Sequence, residues 1–136
     1  MSDPNALPSE VRELLERHIE SYEELELLLL LRRERSPEGF TAGRLIERLP
    51  HIPASLIPPA LARLLASGLL GATGSDTPHY AYRPASPGID TAAALLEREY
   101  AERPIRIMQL MSAHAIERVR TAALRTFAEA FVLKKD

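Results

Sequence analysis

The sequence predicts a mostly α-helical fold carrying one small β-hairpin. Of 136 residues, 46% are hydrophobic and 26% charged, a globular balance, but only 5% are aromatic and none is Trp. A core must then come from Leu, Ile, Val and Ala, which suit helices packed on helices. Apolar residues recur at three-and-four spacing over most of the chain, whereas alternation is confined to His79-Tyr80-Ala81-Tyr82-Arg83. This length predicts one domain, with an N-terminal helix in residues 1–20, a core unit in 21–85 and C-terminal helices in 86–136.

The elements follow in order. After a fraying start, Pro8 and Ser9 open an amphipathic helix whose face is Val11, Leu14, Leu15, His18, Ile19 and Tyr22. Ser21 followed by Glu24 has the form of a capping box, so a second helix is expected to begin at Tyr22. Its body, Leu25 to Arg35, contains Leu27 to Leu31 in succession and must be covered on several sides, which makes it the expected centre of the core. Ser36-Pro37-Glu38-Gly39 ends it.

Thr41 predicts an N-cap for a short helix burying Ala42, Leu45, Ile46 and Leu49, stopped by Pro50. Ser55 is expected to cap the next helix, with Ile57, Ala60, Leu61, Leu64 and Leu65 inward and Gly68 as its breaker. Pro58 and Pro59 fall in its first turn, where no intrahelical partner for an amide is lost. Leu69-Leu70, a turn from Gly71 to Pro78 and the alternating segment make the hairpin. Asp90 is expected to cap a helix burying Ile89, Ala92, Ala93, Leu96 and Tyr100. Pro104 kinks that helix or starts another. A last helix, Ile116 to Phe131, presents Ile116, Val119, Ala123, Phe127, Ala130 and Phe131 along one side, and Lys134-Lys135-Asp136 is expected to fray.

Composition narrows the function. The absence of Cys excludes disulfides, thiolate metal sites and a thiol nucleophile, and suits a reducing cytosol. The N-terminus lacks the order of a secretion signal, and the longest apolar run is far below the roughly 20 residues that span a bilayer. A cytoplasmic protein without a membrane partner is expected. The net charge of -2 is uneven: residues 1–35 carry nine acidic and five basic groups, while 36–83 and 84–136 each net +1.

The order helix, helix, turn, helix, hairpin resembles the winged helix-turn-helix fold of bacterial transcriptional regulators of the MarR and PadR type. The resemblance covers roughly residues 22–85 and is carried by Ala60-Leu61-Ala62-Arg63-Leu64-Leu65-Ala66-Ser67-Gly68-Leu69-Leu70. That segment is similar to the junction between a recognition helix and the first wing strand. The resemblance implies a DNA-binding regulator acting as a homodimer, with residues 86–136 as the dimerisation region. Double-stranded DNA would then meet Ser55 and Arg63 on the recognition helix, Arg44 and Arg48 before it, and Ser75, Thr77, His79 and Arg83 on the wing.

The outward positions of the recognition helix depart from that pattern. Leu56, Pro58, Pro59 and Ala62 form a small apolar patch with a single nearby arginine, which makes a protein-docking module that does not bind DNA the alternative reading.

Smaller signals carry less. His18, His51, His79 and His114 have no i, i+4 pairing, so no metal or other cofactor is expected. Glu20, Glu23, Glu24 and Glu26 are expected to be solvated at a helix start. Gly71-Ala72-Thr73-Gly74 lacks the Lys-Ser/Thr of a phosphate loop. Ile105, Ile107, Met108 and Met111 are expected to fill a helix junction, with an effector pocket or a flexible interface as the alternatives. No nucleophile triad or nucleotide fingerprint is present, so no enzymatic activity is expected.

Overall fold

A computed structural model of the chain describes residues 6–133. The sequence expectations for the extreme N-terminus and for Lys134-Lys135-Asp136 lie outside them. The described residues form helices α1 (Ser9–Arg17), α2 (Tyr22–Arg33), α3 (Ala42–Arg48), α4 (Ile57–Ala66), α5 (Pro87–Glu102) and α6 (Pro104–Leu133), with strands β1 (Leu70–Thr73) and β2 (His79–Tyr82). This is a mostly helical fold with a two-stranded antiparallel sheet. Leu70 pairs with Tyr82 and Thr73 with His79. Strand β1 therefore extends into the stretch expected to be turn, because Gly71, Ala72 and Thr73 all take partners on β2.

Helix α2 is the centre. Leu25 and Leu27 to Leu31 are all buried. One side of the core joins α2 to α4 and β2, and the other packs α1 against α5 and α6. Ser21 caps α2 by accepting from the Glu24 amide. The reciprocal arm of the box is displaced by one residue: Glu24 Oε2 accepts from the Glu20 amide at 3.1 Å and the Ser21 hydroxyl at 2.7 Å. Tyr22 opens α2 as the capping box predicts, but at 36% exposed it does not join the buried face of α1 as expected.

Helix α4 ends in paired reverse bonds, Gly68 N–H to Leu65 O and Leu69 N–H to Leu64 O, with Gly68 at φ 77°. That left-handed turn is available to glycine without a Cβ penalty, and it sends Leu69 into the core. Gly39, at φ 74°, lies under the Tyr80 carbonyl, where an added Cβ would approach the oxygen to 2.9 Å. The next residue, Phe40, bridges to Tyr80 and ties the segment before α3 to the hairpin.

Two C-terminal expectations are corrected. Helix α5 is capped by Ser86, not Asp90: Ser86 Oγ accepts from the Ile89 amide, so the helix starts at Pro87. Asp90 is used elsewhere, accepting the Tyr82 hydroxyl at 2.6 Å and facing Arg35 at 3.8 Å. Pro104 starts a new helix, which runs unbroken to Leu133 and absorbs the separate helix expected from Ile116. Ile107 and Met111 enter the core as expected, but Ile105 is 72% exposed because it lies on the opposite side of α6. No described helix is long and apolar enough to cross a membrane.

Tyr82 joins hairpin to body, since the Arg32 and Arg35 guanidinium groups lie 5.8 and 5.2 Å from its ring centre. Burial, and then the bond to Asp90, pushes its phenol up to about 12 from an ordinary 10.0. The folded state thus holds this proton more tightly than the unfolded chain. The resulting stability is complete below about pH 10 and lost as pH rises toward the folded value. Tyr22, raised through its bond to Glu26, acts in the same direction. Urea unfolding across the alkaline range should show stability falling, and Tyr82→Phe should reduce the fall; an unchanged slope would assign the loss to other groups.

Candidate partner-binding face on helix α4

Four residues of α4 fix its orientation. Ile57, Ala60, Leu61 and Leu64 are fully buried, which turns Pro58, Pro59, Ala62, Arg63 and Ala66 outward. Leu56, just before the helix, is 41% exposed and extends the same surface. The patch of Leu56, Pro58, Pro59 and Ala62 is therefore open, as the sequence implied.

Ser55 does not cap this helix. It lies inside a 3-10 turn, Ala54–Leu56, and makes no capping bond. The reason is a lack of donors: Pro58 and Pro59 have no N–H, and the Ile57 amide already donates to the Ala54 carbonyl. The chain enters α4 through backbone turn geometry.

Arg63 reaches back across the core boundary. Its Nε lies 3.2 Å from Oε1 of Glu24, a carboxylate only 1% exposed. Glu24 was expected to be solvated with the other acidic residues around it. Burial changes its role, because a carboxylate in that position needs partners for both oxygens. The Glu20 amide and the Ser21 hydroxyl serve one oxygen, and Arg63 serves the other. The arginine expected to read a base thus clamps α4 to the start of α2.

The other cations divide. Arg48 is paired with Glu34. Arg44 is exposed on α3, where Thr41 caps its amide at 3.2 Å. Arg83 is exposed beside Gly71 on the hairpin. Neither guanidinium forms an ion pair among the described residues. Ser75 and Thr77 are exposed in the hairpin turn, and His79 Nδ1 donates to the Thr77 carbonyl at 3.0 Å. The expected DNA-contacting set is therefore spread over α3, α4 and the hairpin, with two of its four arginines engaged internally.

A second cluster escaped the sequence reading. The Tyr22 hydroxyl donates to Glu26 at 2.5 Å, His51 Nε2 lies 3.9 Å from the same carboxylate, and the two rings meet edge-on at 6.3 Å. This cluster fastens the linker before α4 to α2. The four-residue spacing of Tyr22 and Glu26 was visible, but nothing local pointed to His51. Among the described residues, no group of three His, Asp or Glu side chains is arranged to hold a metal ion.

No family model, curated protein or solved structure matches this chain.

The clamp has a measurable value. Removing the Arg63 side chain strands the Glu24 charge, and because Arg63 is itself 45% exposed the cost falls below that of a fully buried pair. Arg63→Ala should lower the unfolding free energy by about 1–2 kcal/mol. A cycle with Glu24→Gln should show coupling; additive losses in urea melts would mean that the pair contributes nothing.

Proposed function

We propose that this chain is a winged-helix module that works by binding a protein through the outward face of α4. The order α2, Phe40 bridge, α3, α4 and hairpin supports the winged-helix reading, with α4 in the place of the recognition helix. The observation that carries the choice of partner is the engagement of Arg63 by Glu24. Without a free cation, α4 offers Leu56, Pro58, Pro59, Ala62 and Ala66, a surface depleted of charge as interface centres are. The two prolines strengthen it, because their side chains lose little conformational entropy on burial.

Duplex DNA is the second reading, favoured by the exposed, unpaired Arg44 and Arg83 on either side of α4 in sequence. Such contacts would hold phosphates and give salt-dependent binding with little sequence preference. Under the DNA reading the chain would act in transcription, as its resemblance to winged-helix regulators implies.

Two experiments separate the readings. Random duplex DNA should show no salt-sensitive binding near 50 mM salt; affinity that collapses as salt rises would favour DNA. In extracts of the native cell, a protein retained by the wild-type chain should be lost with Leu56→Glu and kept with Arg44→Ala. Retention by Leu56→Glu would remove α4 as the docking face.

A further inference from the structure

Helix α6 outruns the body. At 1.5 Å per residue its 30 residues extend about 45 Å, and every residue from Val119 to Phe131 is exposed. On the outward side this leaves Val119 71% and Phe127 69% exposed. The inward side changes chemistry instead. Ile107, Met111, His114, Arg118, Thr121 and Arg125 follow one another at steps of four, three, four, three and four, the spacing of a single helix face. The first two are buried in the core, His114 and Arg118 are half-buried, and Thr121 and Arg125 are exposed. Apolar packing thus gives way to four polar side chains in line, all able to donate a hydrogen bond and none of them acidic.

Those four residues line a cleft of about 340 Å³ between α6 and α1, with Glu16 of α1 and Glu117 completing its walls. Its donors are held in place but not consumed. The Arg118 guanidinium gives one N–H to the Glu20 carbonyl at 3.1 Å, which fixes the group, and it forms no ion pair among the described residues. Arg125 forms none either, although Glu129 lies one turn further along. His114 Nδ1 is buried without a hydrogen-bond partner. An orphaned N–H is harder to accommodate there than an unused lone pair, so the neutral ring carries its proton on Nε2 and donates from that side.

The carboxylates define what can enter. Glu117 lies 3.7 Å from Arg120 and is balanced within α6. Arg118 and Arg125 then stand against Glu16 alone, two positive charges against one, a net charge of +1 in the cleft. One negative charge balances that, and a carboxylate matches the planar fork of a guanidinium. None of the lining residues is hydrophobic, so an aromatic or long-chain acid would gain little by entering. Glu16, an acceptor with no partner among the described residues, calls for a donor on the ligand.

We infer that the cleft between α1 and α6 binds a small hydrophilic carboxylic acid that bears a donor of its own, a hydroxy acid or an amino acid. Arg118 and Arg125 hold its carboxylate, His114 and Thr121 donate beside them, and Glu16 accepts from the ligand's hydroxyl or ammonium group. This site is separate from the α4 face and does not depend on what that face binds.

Three probes test it: L-lactate, L-serine and acetate, titrated at constant pH into the full chain while the His114 ring resonances are followed by NMR. His114→Gln assigns those resonances among the four histidines. Lactate or serine should shift them saturably in the millimolar range and bind more tightly than acetate, which offers the carboxylate alone; the tighter of the two identifies the donor as hydroxyl or ammonium. Arg125→Ala, at an exposed position that leaves the core untouched, should weaken binding about tenfold, as loss of one charge-assisted hydrogen bond does. Glu16→Ala should erase the margin over acetate and let acetate itself bind more tightly, since a like charge is gone. No saturable shift from any probe up to about 100 mM would overturn the inference, as would an affinity indifferent to Arg125→Ala. Acetate binding as tightly as both other probes would overturn the role of Glu16 and with it the ligand class.

Discussion

The constraint on which this structure depends is the need to cover α2 on all sides. Six leucines within seven residues leave that helix no polar face in its middle, so helices and hairpin must surround it. The inward stripes of α1, α4 and α5 join the same apolar cluster, and Tyr80 and Tyr82 of the hairpin close against it. With so little aromatic volume available, close packing of aliphatic side chains supplies the core. The prolines and glycines between elements fix where each covering helix can start and stop.

That central helix also determines what charge is free to do. Its first turn is drawn under α4, which takes Glu24 out of water and makes Arg63 its counter-ion. A residue that reads from sequence as surface recognition chemistry becomes part of the scaffold. Arg48 pairs with Glu34 at the other end of α2, but at the surface, with neither side chain taken out of water. The surface of α4 is consequently apolar by subtraction, and this argues for a protein partner more strongly than the arginine count alone argues for DNA.

The body and α6 follow different rules. Within the body, apolar residues are used where the fold needs them. Along the outer side of α6, large apolar side chains stand in solvent on a helix too long for the domain beneath it, and such surfaces ordinarily mark contacts with another molecule. A helix that shows one face to its own core and a second, charge-poor face outward has room for two partners, of which the fold supplies one.

Much of this architecture was legible in the sequence because its causes are local. The Ser21 and Thr41 caps, the glycine turn at Gly68, the prolines opening α4 and the three-and-four stripes of α1, α4 and α5 each depend on residues within a turn or two. The centrality of the leucine run and the outward position of Leu56, Pro58, Pro59 and Ala62 follow from periodicity. Capping by Ser55 and Asp90 misled because each competes with a neighbour: the proline amides are missing at one site, and Ser86 lies one turn earlier at the other. Tertiary structure alone decided that Glu24 is buried, that Arg63 and Arg48 are engaged, that His51 meets Tyr22 and Glu26, and that the stripe on α6 is uncovered. Those facts depend on which distant segment arrives against a residue, and helical spacing constrains a side chain's direction without naming what it will meet.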